Sequence, residues 1–491
     1  MTNRRRFLKS TLAAGSAAAL LSIPAEAQSV GIPAPPAHFG ELFPNLPEYS
    51  VADDALSALA ETMRDRAPGA PTGDNLFYDA AGTLTDVVPA GMTYVGQFLD
   101  HDITLDRTLL TDANTQLAPT RNGRQNAINL DSVYEGAPRD GDKLLLVTNQ
   151  FGVLDIPRDQ NGFAIIGDFR NDENLVLLPV HLGIIRFHNA LLSRGIASTF
   201  ERAQQLTRWY YQWVIATEFL PTIIGRALAA NIISFGSDLR PTVNTQFYKP
   251  GQARTTVPVE FSVGCYRLHT LIRNNYNIRA GTRIGIFNTQ PLNLVGGRPV
   301  PPELVQQSNL FFRTETSPAF DPPNTQAGPQ SFNVARRFDA SISPQVFNLP
   351  AFALPNAPQF NNLPVRNLIR GSRIGLAAGQ DVARAMGIAP LSNADLNANA
   401  ANVAGGTHGL DNPAFQGKAP LWFYFNKEAD LMTGGRRLGP VGGRIVGEVI
   451  GGLLDSDPGS FVNNTFVPDV PIAPARGQFK FADLLRFAGA I

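Results

Sequence analysis

A mainly α-helical fold with long irregular connections is what this sequence predicts. Three observations carry it. Apolar residues recur at helical spacing in several separated runs. The stretches between those runs are rich in Pro, Asn and Gln, and few segments alternate as a half-buried strand would. The 491 residues, 44% hydrophobic and 17% charged, are ample for a buried core.

The first 27 residues stand outside that fold. Arg4-Arg5-Arg6 followed by Phe7-Leu8-Lys9 carries the paired arginines of a twin-arginine export signal, Thr11 to Ile23 is apolar, and Ala25-Glu26-Ala27 is a small-x-small cleavage site. The apolar run is short for a membrane span, which needs about 20 residues. The expectation is export and cleavage, a periplasmic or secreted location, and no transmembrane segment in the mature chain. Residues 28–84 read as an extended arm and lead-in, opened by Ile32-Pro33-Ala34-Pro35-Pro36, and residues 85–491 as one domain.

Within that domain Met92–Leu105 and Glu173–Ser193 have apolar positions on one helical face, and Phe200–Ala229 is a long aromatic-rich run. Val259–Ile272, Gln380–Met386 and Arg444–Leu454 are predicted helical as well. Ser317–Pro364 and Leu391–Thr407 are predicted irregular, and loops of that length inside one domain are commonly functional or wrap a cofactor-filled core. No period of 20–50 residues repeats, which excludes a solenoid.

Lys+Arg and Asp+Glu balance at 41 each, so no nucleic-acid or anionic-membrane partner is implied. The single cysteine, Cys265, excludes an internal disulfide and a multi-cysteine metal site. Six histidines occur, with no His-Glu-x-x-His or His-x-His pattern to suggest zinc or copper. Two segments have unusual surroundings. In Gly96-Gln97-Phe98-Leu99-Asp100-His101-Asp102, amide and imidazole four apart share a helical face. In Asp168-Phe169-Arg170-Asn171-Asp172-Glu173, Arg170 and Glu173 point the same way where a helix begins. Each has a plain alternative, a polar helix end and acidic matching of a helix dipole.

Taken together, the segments resemble the animal-type haem peroxidase family of the peroxidase–cyclooxygenase superfamily, as found in bacterial members. Gly-Gln-Phe-Leu-Asp-His-Asp is similar to its distal motif. Arg170-x-x-Glu173, then His181-Leu182 and Arg186-Phe187-His188-Asn189, resembles its second distal segment. Glu260-Phe261-Ser262 to His269 resembles the proximal segment, and Asn367-Leu368-Ile369-Arg370-Gly371 the Asn-x-x-Arg run. Pro420-Leu421-Trp422-Phe423-Tyr424 and the run Leu438 to Val446 look like its C-terminal segment.

The resemblance implies the family's helical fold, a b-type haem and peroxide chemistry on a small organic or halide donor. His269 is then the axial iron ligand, His101 the acid–base group, Arg170 the charge stabiliser and Gln97 a hydrogen-bond partner over the iron. Asn367 would accept from the other nitrogen of His269, and Arg370 would hold a propionate. Asp100 and Glu173 match carboxylates that form ester bonds to haem in mammalian relatives. The family also holds calcium, and Asp102, Ala127 (carbonyl), Asn129 and Asp131 match its ligands, although Gln125 and Asn129 replace the usual Thr and Asp.

One departure divides the function. Tyr266-Arg267-Leu268-His269 is one residue shorter than the usual peroxidase segment and resembles the Tyr-Arg-x-His of fatty-acid dioxygenases and cyclooxygenases, in which a tyrosyl radical abstracts hydrogen from a lipid. The resemblance therefore leaves two readings, a peroxidase and a fatty-acid dioxygenase using Tyr266. On a regular helix Tyr266 and His269 would share one face.

Overall fold

The computed structural model describes residues 37–65, 87–106, 121–250, 256–287, 292–318, 332–349, 361–398 and 407–491. The export signal, about half of residues 28–84 and parts of the two irregular stretches lie outside the described residues.

Helices dominate as expected, and strands form only five two-stranded antiparallel ladders among the described residues. They pair β1 (Ala37–His38) with β2 (Arg121–Asn122), β3 (Arg139–Asp140) with β4 (Lys143–Leu144) and β5 (Val147–Thr148) with β6 (Leu154–Asp155). The others pair β7 (Ile233–Phe235) with β8 (Pro241–Val243) and β9 (Asn275–Arg279) with β10 (Thr282–Gly285).

After α1 (Asp53–Thr62), α2 (Ala90–Ile103) runs through the core with nearly every side chain buried. Its first N–H groups are met from a distance, by the carbonyls of Asn333 at 2.9 Å and Phe311 at 3.1 Å, so the helix start needs no side-chain cap. A short α3 (Asp131–Tyr134) follows, then a 3₁₀ turn over Phe169–Asp172.

α4 (Leu178–Ser193) starts five residues later than the apolar pattern predicts. Pro179 has no N–H and is accommodated in a first turn, and the Asn174 side chain already takes the N–H groups of Val176 and Leu177 at 3.2 and 2.8 Å.

The long run Phe200–Ala229 is a helix in pieces: α5 (Phe200–Val214), a π turn (Ile215–Phe219), α6 (Leu220–Ile224) and α7 (Arg226–Ile232). Pro221 falls in the first turn of α6, and Gly225 at φ 88° breaks the helix in a conformation that a residue with a Cβ rarely takes.

Val259–Ile272 is likewise not one helix. A π turn (Glu260–Cys265) and a 3₁₀ turn (His269–Leu271) are separated by an irregular link. There the Arg267 carbonyl accepts from the Trp422 indole at 2.9 Å, and the Thr270 hydroxyl donates to the Arg337 and Asp339 carbonyls at 2.8 and 3.0 Å.

The remaining helices are α8 (Leu363–Arg373), α9 (Gly379–Ala385), α10 (Asn393–Asn397), α11 (Leu421–Thr433), α12 (Pro440–Ser456) and α13 (Phe481–Phe487). α11 and α12 are buried along most of their length, and α13 closes on α4 through a Phe187–Phe487 ring contact at 5.2 Å. Among the described residues no helix is long and apolar enough to cross a membrane.

Candidate functional site

α2 supplies the first side of the site. His101 is 5% exposed, and its Nδ1 lies 3.0 Å from the Asn171 amide oxygen. Burial, then the Arg170 guanidinium, pushes its imidazole down to about 3, so the ring is neutral. Its Nε2 has no hydrogen-bond partner among the described residues and is not sealed from accessible space.

Gln97, one turn earlier, donates from its amide to Glu173 and accepts from Asn174 Nδ2 at 3.5 Å. Asp100 accepts from the Thr104 hydroxyl at 3.0 Å. Neither Asp100 nor Glu173 makes an ion pair of its own among the described residues. Burial raises both carboxyls, Glu173 to about 7, against the opposing pull of Arg170.

The 3₁₀ turn Phe169–Asp172 supplies the next part. Its cap, Asp168, accepts from the Arg170 backbone at 2.9 Å and from the Arg170 guanidinium at 2.7–3.2 Å. Burial would raise the Asp168 carboxyl, but Arg170 and Arg124 outweigh it and hold the group far below the usual range. Arg170 Nη2 also reaches the carbonyls of His101 and Thr104 at 3.2 and 2.6 Å, while Nη1 makes none of these bonds.

Arg124 braces the same corner by donating to the His101 carbonyl at 3.1 Å. The turn is pressed into place by residues 292–305: a Cβ on Gly296 would lie 1.8 Å from the Asp172 carbonyl, so only glycine permits that approach. Arg158 clamps Asp172 from the other side at 2.6 and 2.8 Å.

On the second side, His269 Nδ1 sits 2.7 Å from Asn367 on α8. The resemblance has the amide accept from the ring. Here its nitrogen faces His269, while its oxygen accepts from Arg267 Nη1 at 3.2 Å. An N–H donor on Nδ1 places the ring proton on Nε2; half a turn of the amide would free Nε2 for a metal at the expense of the Arg267 bond. Burial, then Arg267 and Arg366, pushes His269 down to about 3. Arg370 pairs with Asp106 at 2.9 Å.

Tyr266 does not share a helical face with His269, because the π turn ends just before it. Its ring stacks on Phe261 at 4.4 Å, and its hydroxyl donates to the Gly96 carbonyl of α2 at 3.2 Å. Burial pushes the phenol well above its ordinary value.

Two residues of the expected calcium loop are bonded within it. Asp102 is fully buried, and its two oxygens take the N–H groups of Leu130 and Ser132 at 3.0 and 3.2 Å; burial, then Asp131, pushes its carboxyl up to about 7. Asn129 accepts from the Asp131 N–H at 3.1 Å and donates to Gln125 at 3.2 Å, and Arg208 takes the Asn129 carbonyl at 2.9 Å. No group of three or more His, Cys, Asp or Glu side chains able to hold a metal occurs among the described residues. Asp102 and Asn129 are thus bonded within the loop and to Arg208, whereas the Asp131 carboxylate and the Ala127 carbonyl accept no hydrogen bond among the described residues.

Haem is a different case. Asp100, Arg170, Glu173, Arg267, His269 and Arg366 lie deep in the fold yet keep accessible surface, so they line an internal cleft. Two neutral imidazoles open toward accessible space through Nε2. Burial, then Arg267 and Arg370, drives Arg366 down to about 10, a crowding of guanidiniums that a dianionic group would relieve. This donor set fits a haem with two propionates. Asn171, Arg124, Arg267 and Arg366 were not singled out by motif reading; their adjacency to Arg170, the Tyr-Arg-x-His run and Asn367 was the available signal for three of them. His188 and Asn189, in contrast, are structural, bonded to Tyr134 and Leu144.

The family model for animal haem peroxidases matches residues 121–393, more than half of the chain. The matched span contains Arg170, Glu173, Tyr266, His269, Asn367 and Arg370, and begins after Gln97 and His101. Peroxidase A from Dictyostelium discoideum is similar in structure, with a TM-score of 0.57 at 15% identity over 88% of each chain. So is a fatty acid alpha-dioxygenase from Arabidopsis thaliana, with a TM-score of 0.57 at 12% identity over 87% of this chain and 73% of that one. The fatty acid alpha-dioxygenase of Oryza sativa has the same TM-score, 0.57, at 14% identity over 87% and 76%. No curated protein matches the chain.

Proposed function

The chain belongs to the animal haem peroxidase family, and on that premise we propose that this oxidoreductase reduces hydrogen peroxide while oxidising a small organic or halide donor. The observation that carries this reading is the neutral His101 beside Arg170 in the cleft, its Nε2 unpartnered. A b-type haem, when bound, would supply the electrons that cleavage of the peroxide O–O bond consumes. His269 would hold the iron, and Arg267, Arg366 and Arg370 its propionates.

His101 takes the proton of the incoming peroxide on Nε2 and returns it to the departing oxygen, which leaves as water. Arg170, anchored by Asp168, offers Nη1 to the charge that develops. Gln97 is tied to Glu173 and so orders the cleft beside the base. Asp100 and Glu173, whose carboxyls burial pushes up, are the carboxyls available for ester linkage to haem.

A second reading is favoured by two observations: the Tyr266 hydroxyl is held against α2, beside Gln97, and two of the similar structures above are fatty acid alpha-dioxygenases. Against it, among the described residues the Tyr266 hydroxyl has only a backbone carbonyl as hydrogen-bond acceptor, and a carbonyl cannot take the proton that tyrosine oxidation releases. The haem-loaded protein should be assayed for peroxide-dependent phenol oxidation and for oxygen uptake with linoleate or oleate. The expected result is phenol oxidation without oxygen uptake, in wild type and in Tyr266→Phe. Oxygen uptake that Tyr266→Phe abolishes while phenol oxidation survives would replace the peroxidase by the dioxygenase.

A further inference from the structure

The polar atoms around His101 form a chain whose proton positions can be worked out. Asn171 sits between two histidines, its Oδ1 3.0 Å from His101 Nδ1 and its Nδ2 3.2 Å from His181 Nδ1. The same Nδ2 lies 3.4 Å from the Ser132 carbonyl. A carbonyl only accepts, so the amide nitrogen must face Ser132, and Oδ1 must face His101. An amide oxygen also only accepts. The hydrogen in the first contact therefore belongs to His101 Nδ1, and the lone pair of the neutral ring is at Nε2.

We propose that Asn171 is a positioning residue that fixes the Nδ1–H tautomer of His101 and so keeps Nε2 bare as the base of the reaction. The proposal rests on the reading of His101 given above. It assigns a reason to the residue after Arg170: the short turn that aims the guanidinium also delivers the amide. A proton gained at Nε2 makes the ring cationic with Nδ1–H still on the Asn171 oxygen, so no second proton has to move when Nε2 gives its proton back.

His181 completes the chain. Its Nδ1 accepts from Asn171, which puts its own proton on Nε2, and that buried atom has no partner among the described residues. The charged groups facing His101 are Arg170, Arg124 and Asp168, all held by one another, so none of them competes with Asn171 for Nδ1.

The test compares Asn171→Leu and Asn171→Asp with wild type and His101→Ala, all as haem-loaded full-length protein. Asn171→Leu removes the acceptor and should slow peroxide-dependent phenol oxidation about 10–100-fold, the usual cost of losing the group that orients a functional imidazole. Haem content should be unchanged.

Asn171→Asp keeps an acceptor. It should recover most of the rate and move the acid limb of the pH profile upward by about one to three units, because a carboxylate stabilises the imidazolium. A merely structural asparagine would not move that limb. An Asn171→Leu protein with full haem and wild-type rate overturns the proposal. If Asn171→Leu fails to fold, an Asn171→Asp profile that coincides with wild type overturns it. Wild-type turnover in His101→Ala would instead overturn the reading of His101 itself, whereas a slow His101→Ala beside a normal Asn171→Leu removes only the role of Asn171.

Discussion

His101 and His269 each meet an asparagine at Nδ1, but the amides present opposite ends, and only a half-turn of Asn367 would leave His269 Nε2 as bare as that of His101. Replacing His101 by Ala removes an acid–base group without touching the side that would hold the iron. Peroxide-dependent turnover should fall by about 10²–10⁴ at full haem content, measured as the initial rate of phenol oxidation. His269→Ala should instead lose the haem absorbance itself, and retention of an unaltered spectrum would remove the axial assignment. Because burial and Arg170 push His101 down to about 3, the base stays unprotonated in mild acid. Activity should therefore not decline between pH 7 and about 5, where an ordinary imidazole would titrate. A limb centred near 6.5 would contradict that environment.

At the scale of elements, helices with an uninterrupted apolar face were legible. Ala90–Ile103 and Pro440–Ser456 match the runs read from spacing to within a few residues, α12 extending four residues further N-terminally than its run. The misses have physical causes that lie far along the chain. Nothing near Arg267 announces that Trp422 will take its carbonyl, and nothing near Thr270 announces Arg337 and Asp339, so a helical pattern was overruled by tertiary bonds.

The same holds for the site. Motifs found His101, Arg170, His269 and Asn367, whereas Asn171 and Arg124 matter through partners dozens of residues away. α12 shows such a device. Its first N–H groups, of Val441 and Gly442, are taken by the buried Glu428 carboxylate of α11 at 3.0–3.2 Å. Glu428→Ala would strand those donors and should cost about 1–3 kcal/mol. Glu428→Gln, which keeps an acceptor, should cost less. Chemical denaturation of both variants checks this, and an unchanged midpoint for Glu428→Ala would show that water replaces the carboxylate.

For the whole molecule, buried titratable groups set two opposing pH dependences. Burial pushes His101, His181 and His408 down to about 3, 4 and 3. Between those values and the unfolded value near 6.5 the unfolded chain binds more protons, so stability is lost as pH falls through that window. Glu218, Asp339 and Glu428 are pushed up to about 7 by burial, bind more protons when folded, and add stability as pH falls from 7 toward about 4. Asp102 at about 7 and Asp172 and Glu260 at about 6 join the second set, which is the larger. The melting temperature should therefore not fall between pH 6.5 and about 4.5. It should drop steeply below 4, where the unfolded chain begins to protonate the Asp168 carboxylate that Arg170 and Arg124 keep ionised in the fold. A steady fall from pH 7 to 5 would show that the histidines dominate.

The cleft is assembled from stretches that are synthesised far apart in time. α2 contributes Gln97 and His101, the turn before α4 contributes Arg170, the link after the π turn contributes His269, and α8 contributes Arg366, Asn367 and Arg370. A nascent chain that has emerged only as far as α7 has a base and a cation but nothing to grip a porphyrin. One that ends before α8 has an imidazole whose orientation no amide yet governs. The residues proposed to hold haem can therefore all meet only once α8 has been made, and a haem held by the finished protein would report that its early and late halves have found each other.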